Sequence, residues 1–114
     1  MIARKVKRTA AIALTVAAFA ASAPAFAFNA STDGAYAWTT SDNHYANIRD
    51  TAKDGHPVKA EYYRLNSSGT LRTLWEKRGY GHSNTSGYGS LVFKIKACEY
   101  INNWPDDCSA WDND

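Results

Sequence analysis

The stretch Ser-Leu-Val-Phe-Lys-Ile-Lys-Ala-Cys, residues 90–98, decides the fold. Apolar side chains alternate in it with two lysines, which is the period of a strand with one buried face. We expect Lys94 and Lys96 to face solvent. The side chains expected on the opposite side are those of Leu91, Phe93, Ile95 and Ala97. The following residues, 99–107, are too polar and too interrupted by proline to predict another regular strand.

The amino terminus has the pattern of a secretory signal peptide over residues 1–27. Four basic residues open the chain, an apolar run covers residues 10–23, and Ala25-Phe26-Ala27 is a small-x-small cleavage site. The apolar run is shorter than the ~20 residues of a spanning helix, so we expect no membrane association after cleavage. These features predict a secreted, extracellular protein that consists of residues 28–114.

Removal of the signal peptide changes the sign of the net charge. The full chain is formally +2, but the predicted mature chain keeps nine basic and eleven acidic residues and is about −2. The excess of basic over acidic residues therefore comes from the signal peptide, and we expect no nucleic-acid partner for the mature chain. The remaining 87 residues have room for one domain.

The two cysteines, Cys98 and Cys108, are the only ones in the chain. In an exported protein such a pair is typical of a disulfide. Closing a loop of about ten residues removes roughly 2.5–3 kcal/mol of unfolded-state entropy. This is a large contribution for a domain of this size, because small domains bury too little surface to be stable without help.

Turn residues divide the rest of the chain into short segments with a period of two. Residues 28–34 are polar and predict a loosely held leader, and residues 79–89 are rich in glycine and predict a long flexible loop. Turns are expected at 41–43, at 66–69 and at 53–56, where Asp54-Gly55 suits a two-residue hairpin. Strands are predicted over residues 35–40, 45–51, 58–65, 70–77 and 90–98.

Within these strands the third should bury Val58, Ala60 and Tyr62. Residues 70–77 fit a helical spacing as well as a strand, and we favour the strand because the segment is short and contains two threonines. The sequence therefore predicts five strands, or six if the carboxyl-terminal tail forms one, and no secure helix. This predicts an all-β fold, an antiparallel β-sandwich or small barrel of about five to seven strands with one disulfide.

Several short motifs carry a resemblance to a group of uncharacterised small secreted β-sandwich proteins of filamentous actinobacteria. They are residues 46–51, Asp54-Gly55-His56 with Val58, residues 97–99 and residues 107–109. The resemblance implies an exported β-sandwich and supplies no catalytic residue. Small secreted α-amylase inhibitors are similar in size and strand content. Their Trp-Arg-Tyr triplet has no counterpart here, since Tyr62-Tyr63-Arg64 matches it only superficially, and their second disulfide is missing.

Aromatic residues are the first candidates for function. Four Trp, seven Tyr and two Phe follow the signal peptide, more than a small sandwich needs for its core. Trp and Tyr stack on sugar rings and fill partner pockets. The alternative is that Trp38, Trp75 and Trp104 belong to the core and the tyrosines cover sheet edges. The residues expected in exposed loops, and hence the predicted binding residues, are Tyr80, Tyr88, Trp104 and Trp111.

An enzymatic alternative uses residues of the kind found in small secreted ribonucleases. A glutamate base, arginines and a histidine acid could meet on a sheet face, and the candidates are Glu61, Arg64, Arg72 and His82. Two features argue against this alternative. Those enzymes pack their sheet on a helix, which this sequence does not predict, and a negative net charge disfavours a polyanionic substrate.

Metal binding finds only weak support. Asp42-x-His44 and Asp54-x-His56 place ligands two apart, and an acidic group near the second cysteine suggests Ca²⁺. That group comprises Asp106, Asp107, Asp112 and Asp114. Its spacing matches no standard calcium loop, and acidic residues at a carboxyl terminus are usually solvated. We therefore expect no metal and no other cofactor.

The sequence as a whole favours a secreted, non-catalytic binding protein. We expect a monomer that uses aromatic loop residues to bind an extracellular polysaccharide, a cell envelope or a protein. An inhibitor of a secreted hydrolase is the first alternative, because the disulfide-closed loop 99–107 would present Trp104-Pro105 as a rigid protrusion. A small ribonuclease-like enzyme is the second.

Overall fold

Nine strands form in the computed structural model, which describes residues 27–113. The signal peptide predicted over residues 1–27 lies outside this range, except for its last residue. The strands are β1 (Asn29–Thr32), β2 (Ala35–Thr40), β3 (Tyr45–Asp50), β4 (Val58–Arg64), β5 (Ser67–Glu76), β6 (Ser83–Thr85), β7 (Val92–Glu99), β8 (Asp107–Cys108) and β9 (Asp112–Asn113). No helix is present in the described range, and so none that is long and apolar enough to cross a membrane.

The strands make two antiparallel sheets. The first has four strands in the order β1-β2-β3-β6, and the second has five, with β5-β4-β7-β8 in order and β9 also paired to β7. The predicted all-β antiparallel architecture is confirmed. The five longest strands are β2, β3, β4, β5 and β7, which are the five predicted from sequence periodicity, and the four additional strands have two to four residues each.

Small aliphatic side chains fill the space between the sheets. The buried apolar residues that make this core are Phe28, Ala35, Ala37, Ala46, Ile48, Val58, Ala60, Tyr62, Val92, Ile95 and Ala97. The inward face predicted for β4 is confirmed, and the strand predicted over residues 70–77 is present as part of β5, which ends at Glu76. Because alanine supplies five of the eleven core positions, the core has little room for large rings, and most aromatic side chains are left outside it.

The inward face of β7 differs from the prediction at its start. Val92 is buried and Leu91 is 37% exposed, whereas Leu91 and Phe93 were expected to face the core together with Ile95. The register between β4 and β7 shifts at this point, since Tyr63 pairs with Lys94 but Arg64 pairs with Val92. A bulge inserts one residue and reverses the alternation. Strict alternation in the sequence therefore predicted the wrong face for the first residues of the strand.

Residues 28–34 are a strand and a turn, not the loose leader that was predicted. Phe28 is 7% exposed, and its backbone N–H donates to Thr39 Oγ1 at 2.9 Å. β1 pairs along β2 from Asn29 with Trp38 to Thr32 with Ala35. Asp33 and Gly34, residue types that favour turns, form the hairpin turn between them. The polar composition misled the prediction because β1 is an edge strand of four residues with little to bury.

Two predicted turns also need correction. Residues 51–57 do not close a hairpin, because β3 and β4 belong to different sheets and this segment crosses between them. Gly55 nevertheless has a positive φ of 74°, which glycine adopts without steric cost. The turn predicted at 66–69 lies earlier, at residues 65–66, where Arg64 pairs with Ser67 in a two-residue hairpin. The sequence indicates where the turn residues lie, but it does not indicate which sheet the next strand joins.

The expected disulfide joins Cys98 of β7 to Cys108 of β8. These residues are direct partners in the sheet, and their Cα atoms are 4.0 Å apart. Residue 107 was expected to belong to a loop, but β8 begins there. The bridge therefore attaches a strand of only two residues, β8, to the central part of the second sheet.

Removal of this bridge should cost about 2.5–3 kcal/mol of unfolding free energy, because the loop of ten residues regains its entropy in the unfolded chain. Urea unfolding of the variant with Cys98→Ala and Cys108→Ala measures the loss. The wild-type protein unfolded in the presence of a reductant is the control and should lose a similar amount. An unchanged free energy of unfolding in both would contradict the stabilising role.

Candidate functional site

Aromatic side chains lie mainly on the outside of the sandwich. Thirteen follow the signal peptide, all within the described residues, and only Phe28 and Tyr62 of these are buried. Trp38 and Trp75, expected in the core as an alternative, are half-buried on the outer faces of the two sheets. Trp104, the third, is 72% exposed. The core alternative is therefore wrong for all three tryptophans.

The predicted binding residues Tyr80 and Tyr88 do not share a site. The segment between them runs along β3, with β6 pairing to it and with flanking backbone hydrogen bonds from Asp50 to His82 and from Ser86 to Ala46. This contradicts the prediction of a flexible loop over residues 79–89. Tyr80 therefore lies near the Asp50 end of β3 and Tyr88 near the His44 end. At about 3.3 Å per residue along β3, these two ends are roughly 20 Å apart.

The other two predicted binding residues are also apart from each other. Trp104 lies in the disulfide-closed loop, where its backbone N–H donates to the backbone carbonyl of Ile101 at 3.0 Å. Trp111 lies on the outer face of the second sheet, half-buried, with its ring centroid 5.5 Å from that of Tyr63. The Nζ atoms of Lys94 and Lys96 are 4.8 and 4.7 Å from the Trp111 ring centroid. Cation–π contacts therefore already occupy this ring.

Tyr88 stands at the rim of a cleft at one end of the sandwich. Its ring stacks on His44 with a centroid distance of 4.6 Å and meets Tyr45 edge-on at 5.6 Å. The side chain remains 67% exposed. The contacts with His44 and Tyr45 therefore leave most of the Tyr88 ring accessible to solvent. The ring is thus both fixed in orientation and available for contact.

The cleft beside Tyr88 lies between the β4–β5 hairpin and residues 86–90. Its volume is about 420 Å³, and its lining residues are Tyr62, Arg64, Asn66, Ser67, Arg72, Gly87, Tyr88, Gly89 and Ser90. Two of these are cationic and none is acidic. The remainder offer hydroxyl, amide and glycine backbone groups. This surface, which we call the Tyr88 cleft, combines one exposed ring with several polar groups.

Arg64 forms the floor of the Tyr88 cleft. It is 6% exposed, and its guanidinium donates four hydrogen bonds. Nη1 donates to the carbonyls of His44 at 3.0 Å and Ser90 at 2.6 Å. Nη2 donates to Ser86 Oγ at 3.2 Å and to the Gly87 carbonyl at 3.0 Å. Because three of these acceptors lie in residues 86–90, Arg64 fixes the segment that carries Tyr88.

Residues 86–90 have further anchors in the backbone. Ser86 N–H donates to the Ala46 carbonyl at 2.9 Å, and Gly89 N–H donates to the His44 carbonyl at 3.3 Å. His44 Nδ1 lies 2.8 Å from the Gly89 carbonyl, and because a carbonyl only accepts, this nitrogen carries the proton. The segment is therefore ordered before any ligand binds, which lowers the entropy cost of binding.

The enzymatic arrangement considered from sequence is not assembled. Glu61 lies on the outer face of β4, where Lys59 Nζ is 3.1 Å and Lys96 Nζ is 3.4 Å from its carboxylate. Arg64 faces inward on the same strand and has no bond to it. His82 lies near Asp50, at the end of β3 away from Arg64. Arg64 is also buried, so it is not available to a substrate on the exposed sheet face.

The acidic groups considered for metal binding are dispersed. Asp106 pairs with Lys59 at 2.6 Å, and Asp112 accepts from the Asn29 N–H at 2.8 Å. Asp114 lies outside the described residues. Within residues 27–113, no group of three or more His, Cys, Asp or Glu side chains is placed to hold a metal ion.

Glu99 is a buried carboxyl at the other end of the molecule. It is 4% exposed, its Oε2 has no hydrogen-bond partner among the described residues, and it lies directly against Gly34. Burial raises the pKa of Glu99 to about 7, and the neighbouring negative charges of Asp54, Asp107 and Asp50 act in the same direction. The carboxyl is thus largely protonated in mildly acidic solution.

Comparison of the chain with protein-family models, with curated proteins and with solved structures found no match.

Sequence reasoning found Tyr88 but not the cleft around it. Asn66, Ser67 and Ser90 come from segments more than twenty positions apart, and only the hairpin at 65–66 and the start of β7 bring them together. The sequence carried no signal for the close approach at position 89, where an ideal Cβ would lie 2.6 Å from Arg64 Cζ. Gly87 also adjoins Tyr88, and a Cβ there would meet nothing within 4 Å.

We expect Gly89→Ala to destabilise the protein by about 1–3 kcal/mol, because the added methyl group must displace the hydrogen-bonded Arg64 guanidinium. Urea unfolding measures the change. Gly87→Ala is the matched control, since a Cβ at position 87 meets nothing within 4 Å. Equal stabilities for the two variants would contradict the close packing of residue 89 on Arg64.

We expect the stability of the wild-type protein to fall as the pH rises through 7. The pKa of Glu99 in the folded state is above its unfolded value of 4.5, so the folded state binds more protons. The stabilisation is fully present below pH 4.5 and is lost above pH 7. Glu99→Gln should remove this loss, as judged by urea unfolding at pH 5 and pH 8.

Glu61→Gln, on the outer face, serves as the control for this pH dependence. If Glu99→Gln loses stability between pH 5 and pH 8 to the same extent as the wild-type protein, Glu99 is not the group responsible.

Proposed function

We propose that this protein is a secreted, non-catalytic binding protein that holds an extracellular polysaccharide against Tyr88. The observation that carries the proposal is the ring of Tyr88, which is stacked on His44 on one side, 67% exposed, and adjacent to a polar cleft. Sugar rings have apolar faces that pack on aromatic side chains, and hydroxyl groups that bond to the polar groups around them.

The rigidity of the cleft supports binding as the function. Four hydrogen bonds from Arg64 and further backbone bonds fix the segment that carries Tyr88. A surface that is already ordered loses less conformational entropy when a ligand binds. In addition, the aromatic residues stand outside the core, so core packing does not account for their number.

An extracellular location is part of this proposal. The disulfide between Cys98 and Cys108 is consistent with an oxidising environment outside the cell. The first 27 residues of the sequence have the pattern of a secretory signal peptide. An insoluble polysaccharide or a cell envelope is a ligand that such a protein would meet there.

Inhibition of a secreted hydrolase is the second candidate. Trp104 is the most exposed large hydrophobic residue within residues 27–113, at 72%. It lies in a loop closed by the disulfide and by the ion pair of Asp106 with Lys59. A rigid protruding aromatic is typical of the anchor that fills a partner's pocket. This site is at the opposite end of β4 from the Tyr88 cleft, since Tyr100 N–H donates to the Pro57 carbonyl.

We expect Tyr88→Ala to weaken retention on polysaccharide by about tenfold or more, because it removes the stacking surface and leaves the fold intact. The measurement is a pull-down of the purified, oxidised protein on insoluble polysaccharides and cell-wall preparations, with the bound fraction quantified. Tyr80→Ala is the matched control, since Tyr80 is a similarly exposed tyrosine at the opposite end of the sandwich.

Retention that survives Tyr88→Ala unchanged would contradict the proposal. Capture of a secreted hydrolase from culture supernatant, lost on Trp104→Ala, would instead favour the inhibitor.

A further inference from the structure

The Tyr88 cleft carries positive charge that no acidic group in its lining balances. Among the described residues, Arg64 and Arg72 are the only ionised side chains that line it. Among residues 27–113, neither arginine has a carboxylate within 4.0 Å, although six of the other charged residues form such pairs on other surfaces. A buried cation without a carboxylate is unusual, because burial of a charge is costly unless an opposite charge or several hydrogen bonds compensate.

Arg64 supplies a fixed positive field and not a direct contact. All four of its Nη hydrogens are used in bonds to the protein, and Gly89 lies against the guanidinium. The carbonyl dipoles around it solvate the charge but do not neutralise it. Because the residue is 6% exposed, water screens this charge poorly, and an anion in the cleft would be attracted to it.

Arg72 is placed to make the contact. It pairs with Tyr62 across β4 and β5, is exposed, and donates only one side-chain bond, from Nη2 to Ser67 Oγ at 3.0 Å. Its remaining N–H groups are free among the described residues. A guanidinium presents parallel donors that match the two oxygens of a carboxylate or sulfate. The bond to Ser67 holds the side chain over the cleft.

The neutral groups of the cleft suit a sugar that carries the anion. The Asn66 amide and the hydroxyls of Ser67 and Ser90 can both donate and accept. Tyr88 offers an exposed ring at the rim. A small inorganic anion would use the arginines but leave the ring and the amide without a role.

The positive charge is local to the cleft. The predicted mature chain is formally about −2, so the protein as a whole does not attract polyanions. The lysines on the outer face of the second sheet are a weaker candidate. Lys59 is paired with Glu61 and Asp106, and Lys96 with Glu61. Lys94 has no such ion pair among the described residues, but it lies over the rings of Tyr63 and Trp111.

We infer that the Tyr88 cleft binds an acidic sugar, with the ring stacked on Tyr88 and its carboxylate or sulfate held by Arg72 above the buried Arg64. This inference rests on the proposed polysaccharide-binding function and adds the charge of the ligand to it. Arg72 is a contact residue for the anion, and Arg64 is a positioning residue that also supplies the field.

Two matched pairs of polymers test the inference. Polygalacturonate is compared with its methyl ester, and dextran sulfate with dextran, so that each pair differs in charge on one sugar backbone. Affinity electrophoresis of the purified, oxidised protein should show at least tenfold tighter binding to one or both acidic polymers than to the neutral partner. The pair that shows the difference tells whether the group is a carboxylate or a sulfate.

Arg72→Gln should reduce the preference for the acidic polymer about tenfold and leave binding to the neutral partner unchanged. Arg49→Gln is the matched control, because Arg49 is exposed on the outer face of the first sheet. Both variants replace exposed side chains, so we expect both to fold, as circular dichroism would verify. A preference that survives Arg72→Gln but is lost on Lys94→Gln would overturn the inference, because the anion would then bind the other face.

The failure of this inference and the failure of the proposed function give different results. If the protein binds the charged and neutral members of both pairs equally, and Tyr88→Ala weakens this binding, the inference of an acidic ligand is wrong. The proposed polysaccharide binding at Tyr88 is then still supported. Binding that Tyr88→Ala does not change overturns both. Absence of binding to all four polymers overturns the acidic ligand, and the pull-down on insoluble polysaccharides then decides the proposed function separately.

Discussion

The buried guanidinium of Arg64 is the interaction on which the functional end of this sandwich depends. A cation that is 94% removed from solvent must be surrounded by acceptors, and here these come from the β2–β3 turn and from residues 86–90. The same bonds that solvate the charge therefore join three segments that are distant in sequence. Position 89 must be glycine for this packing, and the orientation of Tyr88 follows from it.

The small side chains of the core explain why so many aromatic residues are available for binding. Alanines on both sheets, such as Ala37 and Ala60, leave little space between the layers for rings, so tyrosines and tryptophans lie on the outer faces and in loops. Most of these are engaged with neighbours. Trp38 stacks on Tyr36 at 5.2 Å, and Trp111 lies under two lysines. Tyr88 differs because its exposed ring borders a cleft.

The sequence was sufficient to predict the long strands but not their arrangement. The alternation in 58–64 and the two cysteines determined β4 and the disulfide, because burial and covalent chemistry act locally. The bulge beside Phe93 and the short strand β6 depend on pairing with distant segments, which a local period does not encode. For the same reason Tyr88 was identified from composition, whereas Arg64 was noted only for a catalytic role that its inward position does not permit.

The most direct test of the Tyr88 cleft as the binding site is a backbone amide chemical-shift titration of the oxidised protein with an oligosaccharide of galacturonic acid. The shifts should concentrate at residues 64–67, 72 and 86–90, with saturable binding that weakens as salt is added. Shifts confined to residues 99–107, or to the outer face of the second sheet, would contradict the assignment of the Tyr88 cleft as the binding site.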